Sequence, residues 1–374
     1  MSEAILSGTD LQTAKRRELE RVHAELWGHG VSLLSFVAWV FLGLSSSLRD
    51  ALGGGIGFVP MLLYILVFSL IGSVVSFPIS YYYGFLREKR DGMLKQDFAG
   101  WFADQLKQTG VGLVLSSAVM LGLFAIFRNF PTLWLPLALV LVTLIFAVVL
   151  VISPMLARMR FKSAPLEHPE LEARVVALFA RAGQKLGKVS KWLFSEKVKQ
   201  SNAALIPVGT GTEVLISDTL MQSTDLDGIE VVLAHELGHR VHKDIQKSIV
   251  LGWFSLVLSI IAAYFLMNAL NGVGGIAGST DIAALPILLF AFTLVGEISS
   301  LFRNEMIRRA EYAADRYALE QTRNYPAFER AFRSLAKENL SDPDPPAWVE
   351  FWLHDHPSIE KRIRAARAWV AANP

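Results

Sequence analysis

The sequence predicts a mainly α-helical polytopic membrane protein of about six transmembrane helices, with a cytoplasm-facing H-E-x-x-H unit that contains a small β element. Three observations carry this expectation. The 374-residue chain is 52% hydrophobic and only 19% charged, with a mean hydropathy of +0.39, whereas soluble proteins carry about 25% charge. The apolar excess lies in runs long enough to cross about 30 Å of hydrocarbon, near residues 31–48, 58–84, 110–128, 132–156, 248–270 and 283–302. Two polar segments, about 157–247 and 303–374, interrupt and follow these runs, and the first contains His235-Glu236-Leu237-Gly238-His239.

Residues 1–30 form an amphipathic lead-in, in which Lys15, Arg16, Arg17, Glu18, Glu20, Arg21 and Glu25 are too mixed in charge for a secretory signal. An N-terminal membrane domain, 31–156, holds four spans and a cytoplasmic loop, 86–109. Its last span, Leu133 to Met155, has no charged residue at all. Tyr81, Tyr82 and Tyr83 fit headgroup anchors. The third unit, 157–374, includes spans 248–270 and 283–302 and a C-terminal helical segment. Sidedness follows the basic residues: Lys15, Arg16, Arg17 and Arg21 precede the first span, and Arg87, Lys89, Arg90, Lys95 and Lys107 follow the second. The opposite turns carry only Arg49 and Arg128, and the link from Asn271 to Ile282 has no Lys or Arg. Both termini and both polar segments are therefore expected in the cytoplasm, or in a matrix or stroma.

Composition also excludes chemistry. With 36 Lys plus Arg against 34 Asp plus Glu, the net charge of +2 gives no basis for nucleic-acid binding. Zero cysteines remove disulfides, thiol catalysis and thiolate metal sites, so any metal must rest on His and carboxylates. On a helix, His235 and His239 lie one turn apart on one face, where both imidazoles can reach one Zn²⁺, with Glu236 beside them. Val231, Val232, Leu233 and Ala234 make that helix a buried one, and Gly238 leaves room between the histidines. An open catalytic zinc site needs a third protein ligand, here Glu311. Asp315 lies at i+4 from it on the same face, placed to orient a ligating imidazole. His242 follows His239 by three residues rather than the six of a third ligand in the metzincin pattern, and with Asp244 it reads either as a surface residue or as one that supports a metal ligand from behind.

Beyond the zinc motif, Ser201-Asn202-Ala203 and Glu213 to Leu220, Asn304-Glu305-Met306-Ile307-Arg308 with Glu311 and Asp315, and His356-Pro357-Ser358 with Arg362-Ile363 form a set. In the N-terminal half, Tyr83-Gly84-Phe85, Glu88 to Gly92 and Trp101 to Lys107 join it. Over about 60–370 the chain resembles the membrane zinc metalloproteases typified by the type 1 CAAX prenyl protease, with the HtpX-type heat-shock protease as a more distant relative. The resemblance implies one Zn²⁺ per chain, cleavage near the C-terminus of prenylated CAAX peptides, and a zincin-type catalytic unit. It implies His235, His239 and Glu311 as ligands, Glu236 as general base, and Asp315, Asn304 and Arg308 around them. His356 would contact substrate and, with Arg308 as the other choice, donate to the oxyanion. Asn202 and Ala203 would bind the substrate backbone at a strand edge formed by residues 203–208 and 214–217.

The expected partners are a peptide or protein substrate, prenylated in the case of a CAAX protease, and the lipid bilayer. The expected location is a bacterial plasma membrane with the site facing the cytoplasm, the endoplasmic reticulum being the alternative. Two other functions share the same spacing: a protease that removes damaged membrane proteins, and a non-catalytic zinc-dependent scaffold. Glu236 argues against the scaffold, because a structural zinc site has no use for a base. Charged residues from Asp225 to Asp244 place the motif at the membrane surface rather than within a span.

Overall fold

The computed structural model describes residues 5–6, 8–208 and 210–373, side chains of 154–160 excepted. Among the described residues six helices are long and apolar enough to cross a membrane. The first, α1 (Gly8–Phe36), continues through a π-helical turn at Val37–Phe41, so the lead-in and the first span form one rod rather than two units. A short α2 (Leu44–Ala51) leads to α3 (Phe58–Tyr81), and α4 (Arg87–Arg90) to α5 (Phe98–Asn129) and α6 (Trp134–Arg160). Asp97 starts α5 by accepting the Gly100 N–H at 2.9 Å. The bundle core gathers Tyr64, Phe124, Phe127, Trp134, Ile260 and Ile287.

At the end of the bundle remote from His235, the few basic residues are all engaged. Arg49 ion-pairs with Asp281, and Arg128 donates to Gly55 O at 2.6 Å and Thr280 O at 2.9 Å. Gly274, at φ 56°, passes so close to Val40 O that a Cβ there would meet the oxygen at 1.8 Å. Only glycine fits both the left-handed backbone and the contact. Within the sixth span, Glu297 meets His29 of α1 at 3.1 Å, so this ionisable group faces a partner rather than lipid.

The polar unit opens with β1 (Ser163–Pro165), α7 (Pro169–Arg181), β2 (Leu186–Trp192), β3 (Ala203–Val208), β4 (Gly211–Ser217) and α8 (Asp218–Ser223). The sheet order is β1-β2-β4-β3, with β2 parallel to β4 and the other pairs antiparallel. Strand β4 is buried throughout, and β3 forms the edge. Ser217 N donates to Asn202 O at 2.9 Å, which fixes the register: residues 202, 204 and 206 bond toward β4. Ala203 and Leu205 thus turn their N–H and C=O outward, and Pro207, lacking an N–H, falls on the open side where proline is tolerated.

Helix α9 (Leu226–Val241) starts at Asp225, whose carboxylate accepts the Gly228 N–H at 2.8 Å. It is apolar on almost every side because it is buried on almost every side, against α7, β4, α12 (Tyr325–Glu338) and α14 (Ile359–Ala372). Lys243, at φ 59°, then turns the chain directly into the membrane helix α10 (Asp244–Ala269). The 38-residue α11 (Leu285–Thr322), about 57 Å long at 1.5 Å per residue, emerges from the membrane and continues past the metal motif. Asn304, Arg308, Glu311 and Asp315 make one buried stripe along it. A last short helix, α13 (Ala347–Leu353), precedes the His354 to Ser358 segment.

Candidate active site

Helices α9 and α11 cross at Gly238. A Cβ at that position would meet Ala314 Cα at 3.0 Å and Tyr317 Cβ at 3.2 Å. The glycine therefore makes room for α11, not for space between the two histidines. This approach brings Glu311 to both imidazoles: His239 Nε2 lies 3.1 Å from Glu311 Oε1, and His235 Nε2 lies 3.4 Å from Glu311 Oε2. The two Nε2 atoms are 3.2 Å apart.

With one atom taken from each residue, the three ligand atoms all lie within 4.8 Å of one another, close enough to converge on one ion with bonds of about 2.0–2.1 Å. Glu311 Oε2 is buried and, although 3.0 Å from Arg362 Nη1, takes no well-directed hydrogen bond. His235, His239 and Glu311 can therefore hold a metal.

The supporting residues sort along the α11 stripe. Asp315 Oδ1 is 2.9 Å from His235 Nδ1, which turns Nε2 toward the cluster. His239 is held the same way by Asp244 Oδ2 at 3.1 Å, so of the two places expected for Asp244, the surface or behind a ligand, it takes the second. His242 does not; its ring packs edge-on against Tyr317. Asn304 and Arg308 lie one to two turns too far down the helix to touch the metal cluster. Asn304 donates to Trp352 O at 3.1 Å, and Arg308 donates to Glu350 O at 3.2 Å and to His354 O at 2.7 Å. Arg308 thus ties the end of α13, and with it the segment that carries His356.

That segment folds over the site. His356 Nε2 is 3.3 Å from Glu311 Oε1, and its Nδ1 faces Asp355 Oδ1 at 2.7 Å. Arg362 was not expected in a role. It donates to Asp315 at 2.6 Å and 2.9 Å, meets Glu311 and covers the Phe332 ring at 4.4 Å. With Lys361 and Arg364 beside it in the sequence, nothing local singled it out.

Protonation follows from these contacts. Burial lowers the His235 pKa, but Asp315 and Glu311 outweigh it and push it up to about 9 in the metal-free protein. Burial pushes Glu236 up against the opposing pull of His235 and His239. For His356, burial is outweighed by Asp355 and Glu311, and its pKa is raised.

Two cavities meet at Glu236 and Glu311. One of about 980 Å³ opens between α6, α10 and α11 and is lined by Phe146, Leu150, Leu205, Ile249 and Phe302. The other, about 450 Å³, is lined by Asn202, Ala203, His356 and the N-terminal half of α1. Edge strand β3 runs from the second cavity to the first. The backbone of Asn202 is committed to Ser217, so Asn202 reaches the cavity only by its side chain, while Ala203 offers its backbone.

Comparison with known proteins agrees. Residues 165–370 match the family described as Peptidase family M48, and residues 2–158 match "CAAX prenyl protease N-terminal, five membrane helices". The uncharacterized metalloprotease YhfN of Bacillus subtilis is 26% identical over 90% of this chain and 81% of its own. CAAX prenyl protease 1 of Saccharomyces cerevisiae is 25% identical over 91% of this chain and 77% of its own. The crystal structure of S. mikatae Ste24p shares the fold, with a TM-score of 0.81 at 20% identity over 98% of this chain and 92% of that one. The chain belongs to peptidase family M48, as a multi-pass membrane metallopeptidase.

Proposed function

We propose that this metallopeptidase is a zinc-dependent endopeptidase that cleaves CAAX-type peptides near their C-terminus, one zinc per chain, held by His235, His239 and Glu311. The observation that carries this reading is the cluster of His235, His239 and Glu311, whose ligand atoms, one from each residue, all lie within 4.8 Å of one another beside Glu236. Zinc bound there supplies Lewis acidity and lowers the pKa of water toward neutrality.

The chain's own residues do the rest. Glu236 takes a proton from the attacking water and delivers it to the leaving amine; its raised pKa suits both transfers. Asp315 and Asp244 hold the two imidazoles in the tautomer that leaves Nε2 free. His356, on the opposite wall, donates to the carbonyl oxygen as negative charge develops. Ala203 and Leu205 pair with the substrate backbone. The apolar part of the larger cavity, at Phe146, Leu150, Ile249 and Phe302, beside a charged part at Arg240, Lys247, Glu305 and Arg309, supports a lipid-bearing substrate delivered from the bilayer. The basic flanks at Lys15 to Arg21 and Arg87 to Lys95 support a cytoplasm-facing site in a plasma membrane.

The test is hydrolysis of a fluorogenic farnesylated CAAX peptide and its unprenylated twin, by wild type, Glu236→Gln and a chelated sample. Cleavage of the farnesylated peptide alone, lost in both controls, is the expected result. Equal cleavage of both peptides would replace this reading with a general membrane quality-control protease. Zinc bound without turnover would leave a scaffold.

A further inference from the structure

Four arginines line the smaller cavity, and three of them are committed. Arg362 is held by Asp315 and Glu311; Arg17 pairs with Glu88 at 2.9 Å and Asp91 at 2.8 Å; Arg87 pairs with Glu88 at 2.8 Å. The acids of the same wall are likewise matched. Glu18 faces His354 at 2.8 Å, Asp355 faces His356, and Asp342 accepts the Asp344 N–H of its own loop. Arg21 is different. Its one hydrogen bond goes to Leu353 O at 2.9 Å, and among the described residues no carboxylate lies within ion-pair distance of it, its charge acting on Glu18 and Asp355 only at longer range.

The direction of the substrate follows from the sheet. Strand β3 runs from Ala203, on the smaller cavity, to Leu205, on the larger. A chain added to its open edge pairs more stably antiparallel than parallel, so it runs from the apolar cavity, past Glu236, into the cavity walled by α1. Its carboxyl end arrives opposite Arg21, while its amino-terminal side, with any attached lipid, stays against Phe146, Ile249 and Phe302.

We propose that Arg21 is the subsite for the free α-carboxylate of the substrate, which lets the enzyme measure its cut from the chain end. This rests on the peptidase reading above and adds the class of group recognised beyond the scissile bond. A guanidinium with unused donors binds a carboxylate through charge-assisted hydrogen bonds. Because Arg21 is exposed, screening leaves a preference of about tenfold rather than the larger factor of a buried pair.

The experiment compares kcat/KM for one farnesylated peptide made as free acid and as C-terminal amide, with full-length protein in liposomes. Wild type is expected to prefer the acid by about tenfold, less at high salt. Arg21→Gln should bring the ratio close to one, and Arg21→Lys should keep part of it. Hydrolysis of acid and amide at equal rates by wild type overturns the subsite. So does an Arg21→Gln variant that loses both rates in parallel with the ratio intact, because that marks a purely structural contact with Leu353. A preference governed instead by a free amino terminus would reverse the chain direction and overturn it too. If metal-loaded wild type cleaves neither peptide, the peptidase reading itself fails.

Discussion

Gly238→Ala tests the geometry of the site most directly, because it adds one methyl group at the crossing of the two helices that carry the ligands. The new Cβ would start 3.0 Å from Ala314 Cα and 3.3 Å from Ala314 Cβ. Carbon atoms pack at about 3.5–4.0 Å, so α11 must retreat by about 0.5 Å. Glu311 lies one turn from Ala314 and moves with it, stretching ligand edges that now measure 3.1 Å and 3.4 Å. A displacement of 1 Å costs about 100-fold in rate, so half of that predicts about a tenfold loss in kcat/KM, with a matching loss in zinc affinity. Global stability should change less. Overpacking costs about 1–3 kcal/mol, and replacing a mid-helix glycine by alanine returns about 1 kcal/mol. The assay is zinc affinity by chelator competition beside peptide hydrolysis and thermal unfolding of the same preparation. A Gly238→Ala protein with wild-type zinc affinity and kcat/KM would refute the argument, since it would show that the contact does not set the position of Glu311.

The remaining predictions concern protons and charges. Glu236→Gln should lower kcat by about 10²–10⁴-fold while retaining zinc; activity within tenfold of wild type would remove it as the base. In the metal-free protein His235 has a folded pKa of about 9, above its ordinary 6.5. Zinc must displace that proton, so affinity should rise tenfold per pH unit and flatten above about pH 9, and calorimetry in buffers of different ionisation enthalpy should count one proton released. The sign for stability is opposite: the raised pKa stabilises the apo fold fully below about pH 6.5, and this is lost as pH climbs through about 9. Arg362→Met leaves Asp315 and Glu311 without their buried cation and should cost about 3–5 kcal/mol in the metal-free form; denaturant unfolding at fixed pH reads it. Glu18→Gln weakens the hold of α1 on His354, two residues before His356, and should lower kcat more than it raises KM. An equal effect on both would assign Glu18 to folding alone.

Much of this was legible in the chain because water and lipid sort residues by simple rules. Runs of apolar residues declare spans whatever they pack against, and five of the six helices long and apolar enough to cross lie over the expected runs, whereas the first ends at Phe41 rather than at 48. A helix of 3.6-residue period brings His235 and His239 to one face, and Glu311 and Asp315 to another, before any folding is considered. What sequence spacing could not supply is which stripes meet. Asn304 and Arg308 share the stripe of Glu311, yet they bond to the end of α13 instead. Spacing left Asp244 open between the surface and the support of a ligand because it lies beyond the end of α9; the left-handed turn at Lys243 brings it back to His239. Gly238 and Arg362 carry no periodic signal at all. Helix spans, sidedness of charge and the ligand-bearing faces are local properties, determined by residue type and helical repeat. The closeness of α9 to α11, the pairing of Arg362 and the wall that α1 builds over the cavity join residues up to hundreds of positions apart, and only the packed chain decides them.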